Sequence, residues 1–230
     1  VLAYTFLFEV AGAVILALIW MGEYGAHRAI YLGVFHSISA FCTAGFGLFP
    51  DSLMHYRENV LVNAVVITLS LAGGIGFIVL RDLMSYFSRT SAKQRRHRLA
   101  VHTKLVLITT AVIISIGTLS ILLSEEWPSS VRGYDRALSS FFQAVSASTT
   151  DGFNTIDVGR MSTASLTIVM LLMFVGASPG STGGGIKTTT FALLFFVLWA
   201  KLRRREVNVF GREMSEQCIY NAIIVAVMFM

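Results

Sequence analysis

Charged residues are scarce in this sequence. Asp, Glu, Lys and Arg make up 13% of its 230 residues, about half of the usual share in a soluble domain, whereas 55% of the residues are hydrophobic. A chain with so few charges and so many apolar residues is typical of proteins that lie in a membrane. The composition therefore favours a membrane protein.

Cysteine is also scarce, and the patterns of common catalytic and metal sites are missing. Cys42 falls in a segment that we predict to be external and Cys218 at the predicted cytoplasmic start of the last span, so the two cannot form a disulfide. His36 has no second His, Cys or carboxylate at metal-ligand spacing, and we interpret it as a packed or hydrogen-bonding residue. No serine stands with a histidine and an acid in a recognisable arrangement, so the sequence predicts neither an enzyme nor an organic cofactor.

Long apolar runs are present and predict membrane spans. Residues 60–80 and 105–123 are uncharged runs of 21 and 19 residues, long enough for a hydrocarbon core of about 30 Å. Residues 4–21 form a third span with one acid, and residues 217–230 open another. Since the sequence starts without a methionine and stops inside an apolar run, we expect it to be a piece of a longer protein.

The basic residues are concentrated in two segments. Residues 81–104 and 201–212 hold twelve of the eighteen Lys and Arg residues, whereas the connections at 22–58 and 124–160 hold eight of the thirteen acids. By the positive-inside rule, the two basic segments are cytoplasmic and the acidic connections are external. A nucleic-acid-binding role would also need positive charge, but both basic segments are short and flank spans, which favours topology as the cause.

Two further apolar segments cannot cross the membrane. Residues 29–49 are flanked by external-type charge on both sides, and residues 137–150 number only 14, too few for a crossing. We predict that both dip into the membrane and return. Loop backbone at that depth is tolerated only where it is buried in protein or lines a watery cavity, because unpaired N–H and C=O groups are costly there.

A short motif follows both dips. "SAFCTAGFGL" (39–48) and "SASTTDGFNT" (146–155) share residues at an offset of 107: Ser39 and Ser146, Thr43 and Thr150, Gly45 and Gly152, Phe46 and Phe153. Backbone carbonyls aimed at one axis can replace the hydration shell of a potassium ion, and short helices at 35–41 and 141–148 would point their negative ends at it. The alternative is an ordinary glycine-containing external turn, which two copies make less convincing.

The last apolar run is too long for one helix. Residues 161–200 carry one charge and would extend about 60 Å if wholly helical, twice what a bilayer needs. "ASPGSTGGGIKTTT" (177–190) contains a proline and four glycines, which predict a break there. "AGGIGF" (72–77) also contains glycines that lower helix propensity, although fewer of them. A nucleotide phosphate loop is excluded because Ile186 separates the glycines from Lys187.

These motifs resemble those of the Trk/Ktr/HKT family of potassium transporters, especially the bacterial Ktr and Trk pore subunits. The residues that carry the resemblance are "FHSISAFCTAGFGLFPDSL", "GGIGF", "FFQAVSASTTDGFNT" and "GASPGSTGGGIKTTT". The resemblance implies an all-α integral membrane fold with repeated span–pore loop–span (M1-P-M2) units around a pseudo-fourfold pore, one span being broken by a glycine-rich intramembrane loop. It places the second of four units at 1–90, a basic cytoplasmic linker at 91–104, the third unit at 105–205, and a linker with the start of the next span at 206–230.

The same resemblance implies which residues act on the ion. Half of a selectivity filter is expected from Thr43, Ala44, Gly45, Thr150, Asp151 and Gly152. An intramembrane gate beneath the filter is expected from Ser178, Pro179, Gly180, Ser181, Thr182, Gly183, Gly184, Gly185 and Lys187.

Two of these residues leave alternatives open. Asp151 stands where the first motif has a small residue, and its carboxylate either faces a hydrogen-bond network or lies near the external mouth and concentrates cations. Lys187 either repels ions from the path or extends from a helix end to the cytoplasmic interface.

The resemblance thus implies the pore subunit of a potassium uptake system in the plasma membrane. Potassium is the expected transported ion, with sodium as a second candidate. The expected partners are membrane lipid, a second copy of the subunit and a cytosolic nucleotide-binding regulatory ring, with no nucleic acid. The alternatives are a secondary transporter for sodium or mixed monovalent cations that works by alternating access, and a membrane scaffold that transports nothing.

Overall fold

The computed structural model describes residues 2–87, 99–129, 131–204, 208–209, 212–213 and 216–228. In these ranges the chain is almost entirely helical, as predicted. The α-helices in chain order are α1 Leu2–Tyr24, α2 Ala26–Phe41, α3 Val60–Ile75, α4 Phe77–Phe87, α5 Val101–Ser124, α6 Gly133–Thr149, α7 Thr163–Phe174, α8 Thr188–Leu202 and α9 Glu216–Met228. Single-turn 3-10 helices are found at Met54–Tyr56 and Val158–Arg160.

A short hairpin departs from the all-helical prediction. β1 (Asn208–Val209) pairs antiparallel with β2 (Arg212–Glu213), within the segment 206–230 that we predicted to be a linker followed by a span. Strands of two residues are too short to leave an alternating pattern in the sequence. Of the predicted linker at 91–104, residues 91–98 lie outside the described ranges.

Among the described residues, two single helices are long and apolar enough to cross a membrane. These are α1 with 23 residues and α5 with 24, where we predicted spans at 4–21 and 105–123. Large apolar side chains on both helices are exposed, for example Leu18 at 64% and Leu123 at 76%. Such surfaces suit contact with lipid or with another membrane-embedded element, because neither contact brings the side chains into water.

The predicted span at 60–80 is bent. α3 ends at Ile75, and α4 leaves it at an angle of 102°. The bend occurs at Gly76, whose φ of 89° and ψ of 150° are unfavourable for residues with a side chain. The predicted span over 60–80 therefore consists of two helices joined at a sharp bend, at the glycine-rich "AGGIGF" stretch.

The last apolar run is broken where the sequence predicted. α7 ends at Phe174 and α8 begins at Thr188. Residues 175–187 between them are named here the glycine-rich loop. α7 and α8 have 12 and 15 residues, so neither alone matches the roughly 20 residues of a full crossing.

The two predicted dips are helices that end in loops. α2 has 16 residues and α6 has 17, longer than the stretches 35–41 and 141–148 that we expected, but still too short for a full crossing. α2 leads into residues 42–48, named here the first loop. α6 leads into residues 149–155, named here the second loop.

α2 folds back tightly against α1. Gly25, with φ of 75°, separates the two helices, so the chain reverses in one residue. A Cβ atom added at Gly33 of α2 would lie 2.6 Å from the carbonyl oxygen of Ala13, and one added at Gly12 would lie 2.6 Å from Oγ of Ser37. The small residues therefore let the two backbones touch, which is how helices associate where lipid provides no hydrophobic drive.

Residues from both halves of the chain share one apolar core. Trp20 of α1, Phe142 of α6 and Phe153 of the second loop are each at most 2% exposed and belong to the same cluster. A smaller cluster around Ile121 and Leu172 lies between α5, α6 and α7. The shared core holds the ends of α2 and α6, and hence the two loops, in a defined relation.

Candidate functional site

The first and second loops have the same backbone shape. Both contain positive φ angles at a threonine and at the glycine two residues later: Thr43 (49°), Gly45 (66°), Thr150 (57°) and Gly152 (99°). Positive φ is uncommon for residues other than glycine, so its recurrence at two threonines 107 positions apart is informative. It establishes that the repeated sequence motif is also a structural repeat.

The backbone hydrogen bonds that close each loop onto its helix are also the same. The N–H of Ala44 donates to the carbonyl of Ser39 at 2.9 Å, and the N–H of Asp151 donates to the carbonyl of Ser146 at 2.9 Å. Bonds of this kind satisfy carbonyls that the last turn of a helix would otherwise leave unpaired. Each loop is therefore fixed at the carboxyl end of its helix, where the peptide dipoles give partial negative charge.

The threonine hydroxyls also make equivalent hydrogen bonds in the two loops. Oγ1 of Thr43 donates to the carbonyl oxygen of Cys42 at 2.8 Å, and Oγ1 of Thr150 donates to that of Thr149 at 2.7 Å. Each hydroxyl hydrogen is thus used locally, and the oxygen lone pairs remain available as acceptors. In both loops the result is a cluster of uncharged oxygen atoms beside a helix end.

The two loops are in direct contact. A Cβ atom added at Gly45 would lie 2.0 Å from the carbonyl oxygen of Asp151 and 2.8 Å from the Cα atom of Gly152. The six predicted filter residues, which come from segments more than a hundred positions apart, are therefore brought together. Glycine at position 45 permits this approach, because any side chain would overlap the backbone of the second loop.

An aromatic stack around His36 links α2 to the second loop. The imidazole of His36 is fully buried, with its ring centroid 4.9 Å from that of Phe49 and 5.9 Å from that of Phe153. Nδ1 lies 2.8 Å from the carbonyl oxygen of Leu32, and Nε2 lies 3.3 Å from the backbone N of Leu48, which donates to it. This confirms that His36 is a packed, hydrogen-bonded residue.

We expect His36→Phe to lower the stability of the protein. Phenylalanine keeps the aromatic stack but leaves the N–H of Leu48 without its acceptor, at a cost of about 1–2 kcal/mol. Thermal unfolding of the purified protein in detergent should show a midpoint lower by a few degrees. His27→Phe, at an exposed position of the same helix, is the matched control. Equal midpoints for the two variants would contradict the proposed role of this hydrogen bond.

The glycine-rich loop touches the first loop through a threonine pair. Oγ1 of Thr182 donates to the carbonyl oxygen of Phe41 at 3.1 Å and lies 3.1 Å from Oγ1 of Thr43. Thr182 therefore interacts both with the end of α2 and with the first predicted filter residue.

The glycine-rich loop touches the second loop as well. The N–H of Gly184 donates to Oγ1 of Thr150 at 2.7 Å. A Cβ atom added at Gly183 would lie 2.5 Å from the carbonyl oxygen of Thr149 and 2.4 Å from Cβ of Ala177. Glycine at position 183 thus allows the loop to lie against the base of the second loop.

The same loop pairs with the carboxyl end of α3. The backbone N–H groups of Ser178 and Thr182 donate to the carbonyls of Gly74 and Gly73, at 3.0 and 3.3 Å. Beyond the bend, the N–H of Phe77 donates to the carbonyl of Gly180 at 3.2 Å. The carbonyls at the end of α3 therefore accept hydrogen bonds from outside the helix. The two glycine-rich stretches, "AGGIGF" and "ASPGSTGGGIKTTT", are in direct contact.

Hydrogen bonds within the glycine-rich loop give it a defined shape. The N–H of Ala177 donates to the carbonyl of Gly184 at 3.0 Å, and that of Ile186 donates to the carbonyl of Phe174 at 2.9 Å. Oγ of Ser181 donates to the carbonyl of Ser178 at 2.5 Å. Pro179 lies at the bend of α3, with its carbonyl oxygen 2.8 Å from where a Cβ atom of Gly76 would be. Gly180 and Gly185 have positive φ.

Lys187 closes this loop at the start of α8. Its Nζ atom donates to the carbonyl oxygen of Gly183 at 2.7 Å. A cation at the amino end of a helix meets an unfavourable dipole, and the carbonyl contact offsets that cost. The ammonium group is therefore directed back into the glycine-rich loop.

Sequence reasoning missed several of these contacts. Ser70 of α3 is hydrogen-bonded to the Asp151 side chain, and Gly73 lies so close to α2 that an added Cβ atom would be 1.9 Å from the carbonyl oxygen of Phe41. The glycine pair in "AGGIGF" was a signal for close backbone approach, but nothing in the sequence told which backbone approaches. For Ser70 no signal was present.

The described residues contain no other sign of a metal centre. Within them, no group of three or more His, Cys, Asp or Glu side chains could hold a metal ion. Cys42 and Cys218 are both free, as expected from their predicted positions. The oxygen atoms of the two loops remain the feature that suits a cation.

Comparisons with known proteins agree with these features. The model of the family described as "TrkH: Cation transport protein" matches residues 1–230. The chain is 35% identical over 227 residues to the potassium/sodium uptake protein NtpJ of Enterococcus hirae, covering 97% of this chain and 49% of that protein. It is 37% identical over 225 residues to the Ktr system potassium uptake protein B of Bacillus subtilis, covering 95% of this chain and 48% of that protein.

A solved structure shows the same fold. The crystal structure of the potassium transporter TrkH from Vibrio parahaemolyticus superposes with a TM-score of 0.71 at 22% identity, covering 97% of this chain and 46% of that chain. The chain spans about half the length of the curated relatives it matches.

Proposed function

Because the chain belongs to the TrkH family of cation transport proteins, we propose that it forms half of the pore of a potassium uptake system, in which ions pass a filter of backbone carbonyls. The observation that carries this proposal is the contact between two loops of the same backbone shape at the ends of two short helices. Uncharged oxygens at fixed spacing can replace the water that a potassium ion sheds without binding it too tightly to leave.

The proposed filter residues are the six named from the sequence. Thr43, Gly45, Thr150 and Gly152 set the backbone shape of the two loops, and Ala44 and Asp151 lie between them. The dipoles of α2 and α6 add partial negative charge at the place where a cation would sit. The family is one of cation transport proteins rather than of enzymes, which agrees with the absence of a catalytic pattern in the sequence.

A difference between the two repeats supports a ring of more than two units. Phe153 is fully buried against His36 of the preceding unit, whereas its repeat partner Phe46 is 71% exposed. Gln143, the repeat partner of His36, is buried and its Oε1 atom has no hydrogen-bond partner in the described part of the chain. The exposed ring of Phe46 is thus a surface that another such unit would cover.

The proposed arrangement is therefore a pseudo-fourfold pore. Residues 1–90 and 105–205 are its second and third units, and the segments 91–104 and 206–230 connect them to each other and to the next unit. The basic segments at 81–104 and 201–212 face the cytoplasm by the positive-inside rule. The subunit lies in the plasma membrane and works as a homodimer with a cytosolic nucleotide-binding ring, which the basic segments suit.

The proposed gate is the glycine-rich loop. It is hydrogen-bonded to both loops through Thr182 and Gly184, so it lies directly against the proposed filter. Ser178, Pro179 and Gly180 attach it to α3, and Lys187 closes it at the start of α8. A displacement of this loop would change the access of ions to the filter.

The names of the relatives favour potassium and keep sodium as a second ion. One relative is named for potassium uptake and another for potassium and sodium. The alternative function is a secondary transporter for sodium or mixed monovalent cations, in which alternating access replaces an open path.

Ion flux into liposomes that contain the full-length protein tests the proposal. Potassium should enter down its gradient in a medium without sodium, and faster than sodium does under the same gradient, because a carbonyl filter needs no second ion. Empty liposomes and liposomes with an unrelated membrane protein serve as controls. Potassium movement that strictly requires sodium would support the alternating-access alternative, and no movement of either ion would contradict both.

A further inference from the structure

The two loops differ in one side chain that changes their chemistry. At the position between threonine and glycine, the first loop has Ala44 and the second has Asp151. The backbone hydrogen bonds at the two positions are the same, so the carboxyl group is not needed to shape its own loop. Its role must come from what it contacts outside the loop.

The Asp151 side chain is buried against α3. Asp151 is 3% exposed, and its Oδ2 atom is hydrogen-bonded to Oγ of Ser70, a residue that is itself 1% exposed. Oδ1 is buried without a hydrogen-bond partner among the described residues. None of the ion pairs found among the described residues includes Asp151. The carboxyl group is therefore shielded from water and has a neutral hydroxyl as its partner.

The hydrogen bonds of Ser70 can be satisfied by a neutral carboxyl group. Ser70 has one hydroxyl hydrogen, but its Oγ atom lies both 2.8 Å from the carbonyl oxygen of Val66 and within hydrogen-bond distance of Asp151. If the hydroxyl donates to Val66, the acid must donate to Ser70 and so must carry its proton. A protonated acid also avoids the high cost of burying an unpaired charge.

This hydrogen bond joins the second loop to α3, the helix whose end also contacts the glycine-rich loop. Ser70 is on the last part of α3, and the nearby carbonyls of Gly73 and Gly74 accept hydrogen bonds from the glycine-rich loop. The carbonyl oxygen of Asp151 lies against Gly45 of the first loop. A shift of Asp151 would therefore move the first loop together with the second.

We infer that Asp151 is a positioning residue for the ion path, which holds the second loop against α3 through Ser70 and thereby sets the discrimination between potassium and sodium. Selectivity depends on the number and spacing of the carbonyl oxygens that an ion meets. A loop released from α3 would relax and lose that spacing. The inference rests on the proposed function, since it assigns a role within the same filter.

Three variants of the full-length protein test this role. Initial rates of potassium and sodium entry into liposomes give a selectivity ratio for each variant. Asp151→Ala and Ser70→Ala should lower the ratio at least about fivefold, which is the effect expected from losing one buried hydrogen bond. Asp151→Asn should keep most of the ratio, because its side-chain amide can either donate to or accept from the Ser70 hydroxyl.

A matched control is available on the same helix. Thr68 is exposed, and its hydroxyl bonds only to the carbonyl of Ala64 at 2.7 Å. Thr68→Ala should leave the selectivity ratio unchanged. Thermal unfolding of every variant shows whether the protein is folded, and Ser70→Ala with Asp151→Asn decide the question if Asp151→Ala does not fold.

Two results would overturn the inference. If Asp151→Asn loses selectivity as fully as Asp151→Ala, the negative charge matters and the hydrogen bond does not. If Asp151→Ala and Ser70→Ala both keep the ratio of the unaltered protein, the link to α3 has no role in selectivity. Failure of the unaltered protein to pass potassium would instead contradict the proposed function, so the two failures are distinguishable.

Discussion

Gly45→Ser should reduce potassium flux through the full-length protein by about a hundredfold or more. The new Cβ atom would lie 2.0 Å from the carbonyl oxygen of Asp151, which belongs to the backbone and cannot rotate away. Position 45 also has φ of 66°, and a side chain there costs about 1–3 kcal/mol in backbone strain alone. Both effects push the first and second loops apart. Potassium or thallium flux into liposomes measures the loss.

The same loop offers a matched control for this substitution. At Gly47 an added Cβ atom would meet its nearest neighbour, a ring carbon of Phe153, at 3.6 Å, an ordinary contact distance. Gly47→Ser should therefore keep most of the flux. Gly152→Ser should fall between the two, because φ at that position is 99° but the nearest atom would be 3.7 Å away. Unchanged flux in both Gly45→Ser and Gly152→Ser would refute the assignment of the filter.

Lys187→Met should raise potassium flux about tenfold. The ammonium group holds the carbonyl of Gly183 at 2.7 Å, and a hydrogen bond from a charged donor contributes about 1.5–3 kcal/mol. Methionine has a similar length but cannot donate, so the glycine-rich loop would lose the contact that closes it. If this loop restricts access to the filter, its release increases the fraction of open molecules.

Lys201→Met is the control for the loss of a positive charge. Lys201 lies in the last turn of α8, is exposed, and belongs to the same helix that Lys187 precedes. It should change flux little. A fall in flux for Lys187→Met, with the protein still folded, would mean that the lysine supports conduction and that the loop does not act as a gate.

The repeat and the breaks in the helices could be predicted from the sequence because they depend on local composition. Two copies of a threonine–glycine motif at a constant offset predicted two equivalent loops, and the cluster of glycines after Phe174 predicted the interruption between α7 and α8. These signals are strong because glycine at positive φ and the loss of helix propensity act within a few residues. The bend at Gly76 was underestimated, since its size depends on contacts with the glycine-rich loop.

The contacts that join distant segments could not be predicted. The stacking of Phe153 on His36 and the hydrogen bond between Asp151 and Ser70 involve residues far apart in the chain. Nothing in the residues around Ser70 distinguishes it from other serines on apolar helices. The sequence left two orientations open for the Asp151 carboxylate, toward a hydrogen-bond network or toward the external mouth. The buried contact with Ser70 of α3 corresponds to the first of these. The pairing of β1 with β2 was missed because these strands are so short.

Side-chain identity matters little to the shape of the two repeated loops. Over residues 39–48 and 146–155, five of ten positions differ, yet the main-chain hydrogen bonds to Ser39 and Ser146 have the same length. The proposed ion-facing surface is thus formed by the polypeptide backbone, and the variable positions can take on separate roles. In a pore built in this way, the repeated units can carry different side chains, such as an acid in one loop and an alanine in another, while the backbone shape of the loops stays the same.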